Sequence, residues 1–455
     1  MSPLALTLPE RLTFLLHLAS ARRWTILASL AGAYLLLVRT LRWRRLDALH
    51  AKYAKKRCGG DSEGWDLTPA EAQDILQLAL AHDMPTLSEA SLAFALFKTY
   101  AIPTISELLL KTRQLSTPET MARRYADTEI LIATWLACPI TGRTIDAPPL
   151  PADSKAHGDD LDPRAVLAIA RVNWLHGKYK ISNEDFLYTL GLFMFEPAKF
   201  AARYSWRAHS PLEQHAAFVY WSEVGRKMGI EDIPKTAQEF KDWIEEYEQL
   251  RMVPAESNRD LAQCTTDELL FAVPRVFGLR AFAEGLVRAV LDDRTRVAMM
   301  QPRAPFYAPI VINTLMGTLA FVHRWLTLPR FKSWAFVPSK MPQLVPVRTG
   351  SASVEAAPRM NPAKWASLPW YKPTPRSPLG RLQDRLLVLL GYYQDVPKVE
   401  YRSAGYRLHE LGPQRYEREG HEDVMRMAGE MQGCPVAAAW SAGRAKKADE
   451  RVDGN

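Results

Sequence analysis

His176 stands where an imidazole needs a reason. Ala165, Ile169, Val172, His176 and Tyr179 recur at intervals of four, three, four and three, which stacks them on one helix face. A histidine on that apolar face must find a carbonyl, a carboxylate or a metal. A second helix poses the same question. Arg124 and Thr128 share a face with Met121, Leu131, Ile132 and Trp135. A buried arginine needs an anion or several carbonyls. Asp127 is the nearest anion in sequence. The alternative anion is a cofactor carboxylate, with the Thr128 hydroxyl holding a bound oxygen species.

Together the two helices suggest a haem cradle, since helical proteins build cofactor sites from facing helices. His176 would be the metal ligand, with Arg124, Arg171 and Thr128 as further cofactor contacts. Arg124, Thr128 and Asp127 would stand beside the reaction. His209 and His215 are alternative ligands. Glu196 and Glu213 read as ion-pair partners of Arg203, Arg207 or Arg171, and Tyr179 and Tyr188 as packing residues. The ordinary reading keeps His176 as a hydrogen-bonded core residue and Arg124–Asp127 as a structural pair. The chain is then a haem-free helical membrane-associated scaffold or lipid-binding protein.

Helix-start signals run through the elements that must position these residues. Thr68-Pro69 with Glu71, Thr117-Pro118, Asp162-Pro163, Ser182 with Asp185 and Ser210-Pro211 each pair a capping side chain with proline or an acid. Alternating strand patterns with hairpin turns are scarce. The pattern predicts an all-α protein with a single large helical domain over 66–330. Residues 331–435 form a Pro-rich C-terminal extension with one short helix, in "RLQDRLLVLLGYY", that lies on the membrane or caps the core. Residues 436–455 read as a disordered tail.

Residues 1–45 read as an N-terminal membrane anchor. Thr25 to Val38 carry no charge; Arg22 and Arg23 precede them and Arg39, Arg42, Arg44 and Arg45 follow. Flanking Trp24, Leu41 and Trp43 extend this short core towards the length of a span. The positive-inside rule puts the catalytic domain in the cytosol on a single-pass anchor. A second uncharged run, Ala304 to Val322, contains Pro305, Pro309 and Asn313 and reads as a buried or membrane-touching helix rather than a second span.

The 455 residues are 47% hydrophobic, enough for a sizeable core. The net charge of +8 gathers largely near the N-terminus, with no aromatic-interleaved basic groove, which argues against a nucleic-acid partner. Cys58, Cys138, Cys264 and Cys434 are too widely spaced for a disulfide framework or zinc site. Phosphate loops, dinucleotide fingerprints, nucleophile elbows, H-E-x-x-H and C-x-x-C-H are all absent.

At "RRYADT", "ARVNWLHGKYKISNEDFLYTLGLFMFEP", "SPLEQHAAFVYWSEVGRKMGIEDIP" and "FKDWIEEYE", in that order, the chain resembles the fungal ER-bound oxygenases of the mycophenolic-acid type. They share their catalytic domain with latex-clearing rubber oxygenases. The resemblance covers roughly 66–330 and the anchor. It implies a b-type haem with O2 as co-substrate, an endoplasmic reticulum membrane location and oxidation of an apolar, prenyl-like secondary metabolite delivered from the bilayer, by C=C cleavage. Arg124 and Thr128 look like the rubber oxygenases' haem-flanking arginine and threonine, and His176 like their axial histidine. Those enzymes carry a lysine just before the threonine. Here Asp127 stands there, which removes a possible iron ligand and favours the fungal branch.

Overall fold

The computed structural model describes residues 8–58, 64–115, 117–143, 161–343, 345–349 and 352–440. The fold is all-α. α1 (Leu8–Tyr53) leads into α2 (Pro69–Gln77), α3 (Pro85–Thr99), α4 (Pro103–Lys111), α5 (Pro118–Ala137), α6 (Arg164–His176), α7 (Asn183–Tyr204) and α8 (Pro211–Lys227). Then come α9 (Ala237–Arg251), α10 (Glu256–Leu269), α11 (Leu279–Val290), α12 (Asp293–Ala298) and α13 (Tyr307–Phe321). A short antiparallel hairpin, β1 (Val345–Thr349) with β2 (Ala352–Ala356), precedes α14 (Pro378–Leu389) and α15 (His421–Gln432).

Local chemistry sets the helix starts. Thr68, Thr117 and Ser210 each make a reciprocal capping box, with Glu71, Thr120 and Glu213, ahead of a proline in the first turn. Ser182 caps α7 through the Asp185 amide. Asp162 departs from its expected capping role. Pro163 is the N-cap of α6, and Asp162 instead holds the Arg164 guanidinium at 2.6 Å. At the other end of α5, the Gln73 side-chain amide donates to the carbonyls of Trp135, Leu136 and Cys138, and its oxygen accepts from the Ile140 amide. That satisfies carbonyls the helix end leaves without partners.

α7 runs through the core against α3, α8 and α9, α2 packs on α8, and α5 packs on α6. Buried charges tie these helices together. Lys98 of α3 meets Glu248 of α9 at 2.8 Å and Asp292 at 3.5 Å. Arg207 binds Glu213 at 2.7 Å and Asp83 at 2.8 Å, so Glu213 has the arginine partner its sequence position suggested. Glu196 pairs with Lys199 and Lys98 instead of an arginine. On α7, Lys199 sits three residues along, within easy reach of it.

α1 has two halves. Trp24, Leu30 and Leu36 are strongly exposed, whereas Val38, Leu46 and Tyr53 are buried in the body. Where it meets the body, Tyr34 donates to the Leu326 carbonyl, Arg42 to that of Thr327, and Arg45 to that of Arg330. α1 contains the one described helical stretch long and apolar enough to cross a membrane.

The segment after Phe331 carries two helices and a hairpin, rather than one helix. α15 starts at Gly420 with no side-chain cap, so the sequence offers no start signal there. α15 packs on α6, and Trp370, Tyr371, Leu408, Leu411 and Val424 join the main core. α14 keeps Leu379, Leu382, Leu386 and Leu389 exposed. Trp440 is buried; the rest of the expected tail, 441–455, lies outside the described residues.

The Arg171 guanidinium fastens this segment, donating to the carbonyls of Leu411, Tyr416 and Glu419 at 2.7–2.8 Å. Arg171→Met leaves three carbonyls short of a partner and should cost about 2–4 kcal/mol. A lowered urea midpoint, with faster proteolysis between residues 400 and 420, is the expected result.

Candidate active site

α5 separates two environments, because consecutive helix positions face directions about 100° apart. Arg123 and Asp127 point to the C-terminal segment. Asp127 accepts from the Tyr371 hydroxyl at 2.6 Å and the Gly412 amide at 3.0 Å, and Arg123 lies 3.6 Å away. Arg123 also meets Glu417 at 3.1 Å. Burial raises the Asp127 carboxyl to about 6, against the pull of Arg123 and Tyr371.

The next face belongs to a cavity. Arg124, Tyr125, Thr128 and Glu129 line it, and the surface they retain faces inward. The cavity encloses about 580 Å³ among α3, α5, α10, α11 and residues 333–339, within the range of small-molecule sites. Its wall is largely apolar, with Leu92, Leu96, Phe97, Leu115, Ile132 and Phe336.

Arg124 has no hydrogen-bond or ion-pair partner among the described residues. Burial pulls its pKa below the ordinary guanidinium value, and Tyr100, Tyr179 and Asp127 oppose this only through space. Asp127, the nearest anion in sequence, is committed to Arg123 and Tyr371. The Thr128 hydroxyl makes no hydrogen bond to any of the described residues either. On the same helix Thr134 donates to the Ile130 carbonyl at 2.7 Å, the usual resort of a helical threonine. Arg124 and Thr128 therefore bring an unpaired cation and an uncommitted hydroxyl to one wall.

His176 ends α6 beside the Phe186 ring, with centroids 5.4 Å apart. Its Nδ1 is buried without a partner. Burial, and then the charge of Arg124, push its pKa down to about 4, so the ring is neutral at physiological pH, the form that ligates metal. Among the described residues no three His, Cys, Asp or Glu side chains cluster as a protein-built metal site. A haem supplies its own nitrogens and asks the protein for one axial imidazole. A neutral imidazole and an unpaired cation on the cavity wall are the groups it would use, although His176 itself is not among the lining residues.

Of the sequence-derived candidates, Arg124 and Thr128 line the cavity; His176 does not, and lies within the electrostatic reach of Arg124. Asp127 and Arg171 are turned to the C-terminal segment, whose carbonyls and hydroxyl outcompete any role in the cavity. Neither alternative ligand lines the cavity: His215 meets the Trp65 carbonyl at 2.8 Å, and His209 is buried near Arg207 and Glu213 with its Nε2 lacking a partner. Tyr179 accepts from Arg415, and Tyr188 donates to Glu248.

Residues 161–321 match the sequence family described as "ER-bound oxygenase mpaB/B'/Rubber oxygenase, catalytic domain". The ER-bound oxygenase mpaB' of Penicillium brevicompactum is 30% identical over 448 residues, covering 94% of this chain and 97% of the relative. The ER-bound oxygenase mpaB of Penicillium roqueforti (strain FM164) is 35% identical over 287 residues, 59% of this chain and 87% of that protein. The chain belongs to this oxygenase family. It is an O2-dependent oxidoreductase, and the apolar part of α1 fits relatives named as ER-bound.

The cavity also holds a carboxyl that the sequence pattern does not single out. Glu129 faces the cavity, 3.5 Å from Lys364, which also pairs with Glu89. Burial raises Glu129 to about 8. The available signal was its spacing: Tyr125 and Glu129 form a second i, i+4 pair next to Arg124 and Thr128. On α10, Glu268 also lines the cavity and accepts from the Ser367 hydroxyl.

A carboxyl with a folded pKa above its unfolded value binds its proton more tightly when folded, so the protein loses stability as pH rises between the two. Relative to Glu129→Gln, the cofactor-free wild type should melt progressively lower from pH 4.5 to about 8, with the gap levelling above that. Parallel melting curves of the two proteins would instead mean that Glu129 does not titrate in the cavity.

Proposed function

We propose that the chain is a haem b-dependent oxygenase anchored in the endoplasmic reticulum membrane by a single span, with its catalytic domain in the cytosol. It oxidises an apolar, prenyl-like secondary metabolite by cleaving a C=C bond. The observation that carries this reading is the unpaired Arg124 on the wall of a largely apolar cavity, within electrostatic reach of a neutral His176. A propionate is the anion Arg124 lacks, and His176 is the imidazole an iron needs.

Haem would supply O2 binding and redox chemistry. The protein's own residues then have distinct tasks. His176 would hold the iron, and burial keeps its imidazole neutral. Arg124 holds a carboxylate, and Thr128 offers a hydroxyl to a polar atom in the cavity. Leu92, Leu96, Phe97 and Ile132 hold an apolar chain and exclude water. Glu129, protonated near neutral pH, can donate a hydrogen bond to the polar end of a substrate. Splitting a C=C bond with both atoms of one O2 gives two carbonyl groups and consumes no external reductant.

The test is absorption spectroscopy of the purified full chain with a pyridine haemochrome assay, beside His176→Ala and Arg124→Gln. Near-stoichiometric b-type haem is expected in the wild type. The Soret band should shift or vanish in His176→Ala, and haem affinity should fall roughly tenfold or more in Arg124→Gln, the loss of a charge-assisted contact. A folded, haem-supplied wild type without haem would overturn the reading. An unchanged His176→Ala spectrum would remove His176 as ligand. Incubation with labelled O2 should place label in both product carbonyls.

A further inference from the structure

Two stretches between Phe277 and Leu326, the start of α11 and the whole of α13, are poorly suited to water. No Asp, Glu, Lys or Arg occurs from Ala304 to Val322, yet α13 is not a core helix. Of its residues only Ala308 is buried. Ile310, Leu315, Leu319 and Phe321 are exposed, and Phe306 just before the helix is 87% exposed. α11 continues this surface. Phe282 stacks on Tyr307 with centroids 5.7 Å apart, and Gly285 lies close against Pro305. Leu279 and Phe282 are exposed at the start of α11, and Phe277 in the preceding turn is 98% exposed. An apolar patch of this extent marks an interaction surface.

What covers it follows from its connection to α1. The C-terminal end of this arm is hydrogen-bonded to the anchor where the anchor leaves the body: Tyr34 to Leu326 and Arg42 to Thr327. The arm therefore starts at the depth where α1 changes from exposed apolar residues to arginines. Arg324 lies over Trp43 there, 5.9 Å from its ring centroid, and Arg39 lies over the same ring. Arginine and tryptophan together are the usual furnishing of the headgroup zone. From this point α13 leaves α1 and lies against α7 and α11. A helix packed on the body along one side, with apolar residues outward, is placed to lie in a membrane interface rather than to cross it.

We propose that the α11–α13 arm is a second, monotopic membrane contact, seated in the headgroup and upper acyl zone of the leaflet from which α1 emerges. The partner is the phospholipid bilayer itself. This also gives the cavity an apolar neighbour. Val287 and Val290 of α11 line the cavity, while α13 packs on the same helix, so α11 is shared between cavity wall and lipid-facing arm. An apolar substrate dissolved in the leaflet reaches that wall without crossing water.

The proposal rests on α1 being a membrane anchor, and the test separates the two. In the full chain, with Cys58, Cys264 and Cys434 replaced by Ser, an environment-sensitive fluorophore is attached at Phe306→Cys, Ile310→Cys, Leu30→Cys on α1, or Leu250→Cys on the charged helix α9. The protein is reconstituted into phosphatidylcholine vesicles brominated either near the headgroup or near the bilayer centre. Labels at 306 and 310 should lose roughly half of their emission to shallow bromines and less to deep ones, as an interfacial helix requires. The label at 250 should be unaffected. Quenching at Leu30 alone would overturn the arm and leave the anchor standing. Stronger quenching of 310 by deep bromines would make α13 a span and overturn the interfacial placement. Quenching at 306 and 310 without quenching at Leu30 would keep the arm and remove the anchor.

Discussion

A guanidinium held against a largely apolar wall needs an anion, and Arg124 lines its cavity with none of its own among the described residues. Taking a charge from water into a protein interior costs several kcal/mol unless an opposite charge meets it. Arg124 meets none among the described residues. Its immediate neighbour Arg123 shows what the fold does with an arginine that is purely structural, giving it Asp127, Glu417 and the face of Trp370. The contrast lies within two consecutive residues of one helix. In the proposed reading, an anionic ligand in the cavity would meet the charge of Arg124.

The cavity stays open because its walls are held from outside. The C-terminal segment grips the backs of α5 and α6 through the Asp127–Tyr371 and Asp127–Gly412 bonds and the three carbonyls on Arg171. Gln73 secures the end of α5, and Lys98 links α3 to α9. These groups are buried and paired, so each is costly to break. None faces the cavity. Polar residues of α5 thus divide into those that hold the frame and those that line the cavity.

Much of this division was legible in the sequence. The caps at Thr68, Thr117, Ser182 and Ser210 locate helix starts because their partners lie three residues away. The positions of Arg124, Thr128 and His176 on apolar faces follow from helical periodicity alone. Asp127 and Arg171 look like cavity residues in the sequence because the C-terminal groups that hold them are 240 to 285 residues distant, beyond any local pattern. Glu129 went unread since a lone glutamate in an apolar helix looks like a solvated position until the facing helices are known. The Pro-rich texture after Phe331 suggested a loose extension; its aromatic residues, Trp370, Tyr371 and Tyr406, are what drive it into the core. The uncharged run at 304–322 identified an unusual helix, but its exposure depended on how α7 and α11 pack.

Arg124 as the anchor of an anionic cofactor is the centre of this account. Its most direct test is a density map of the cofactor-loaded full chain in detergent or nanodiscs. The account predicts haem in the cavity, the His176 imidazole on the iron, and a propionate within hydrogen-bond distance of the Arg124 guanidinium. A map with both propionates directed to solvent, and Arg124 paired with a protein carboxylate, would contradict it.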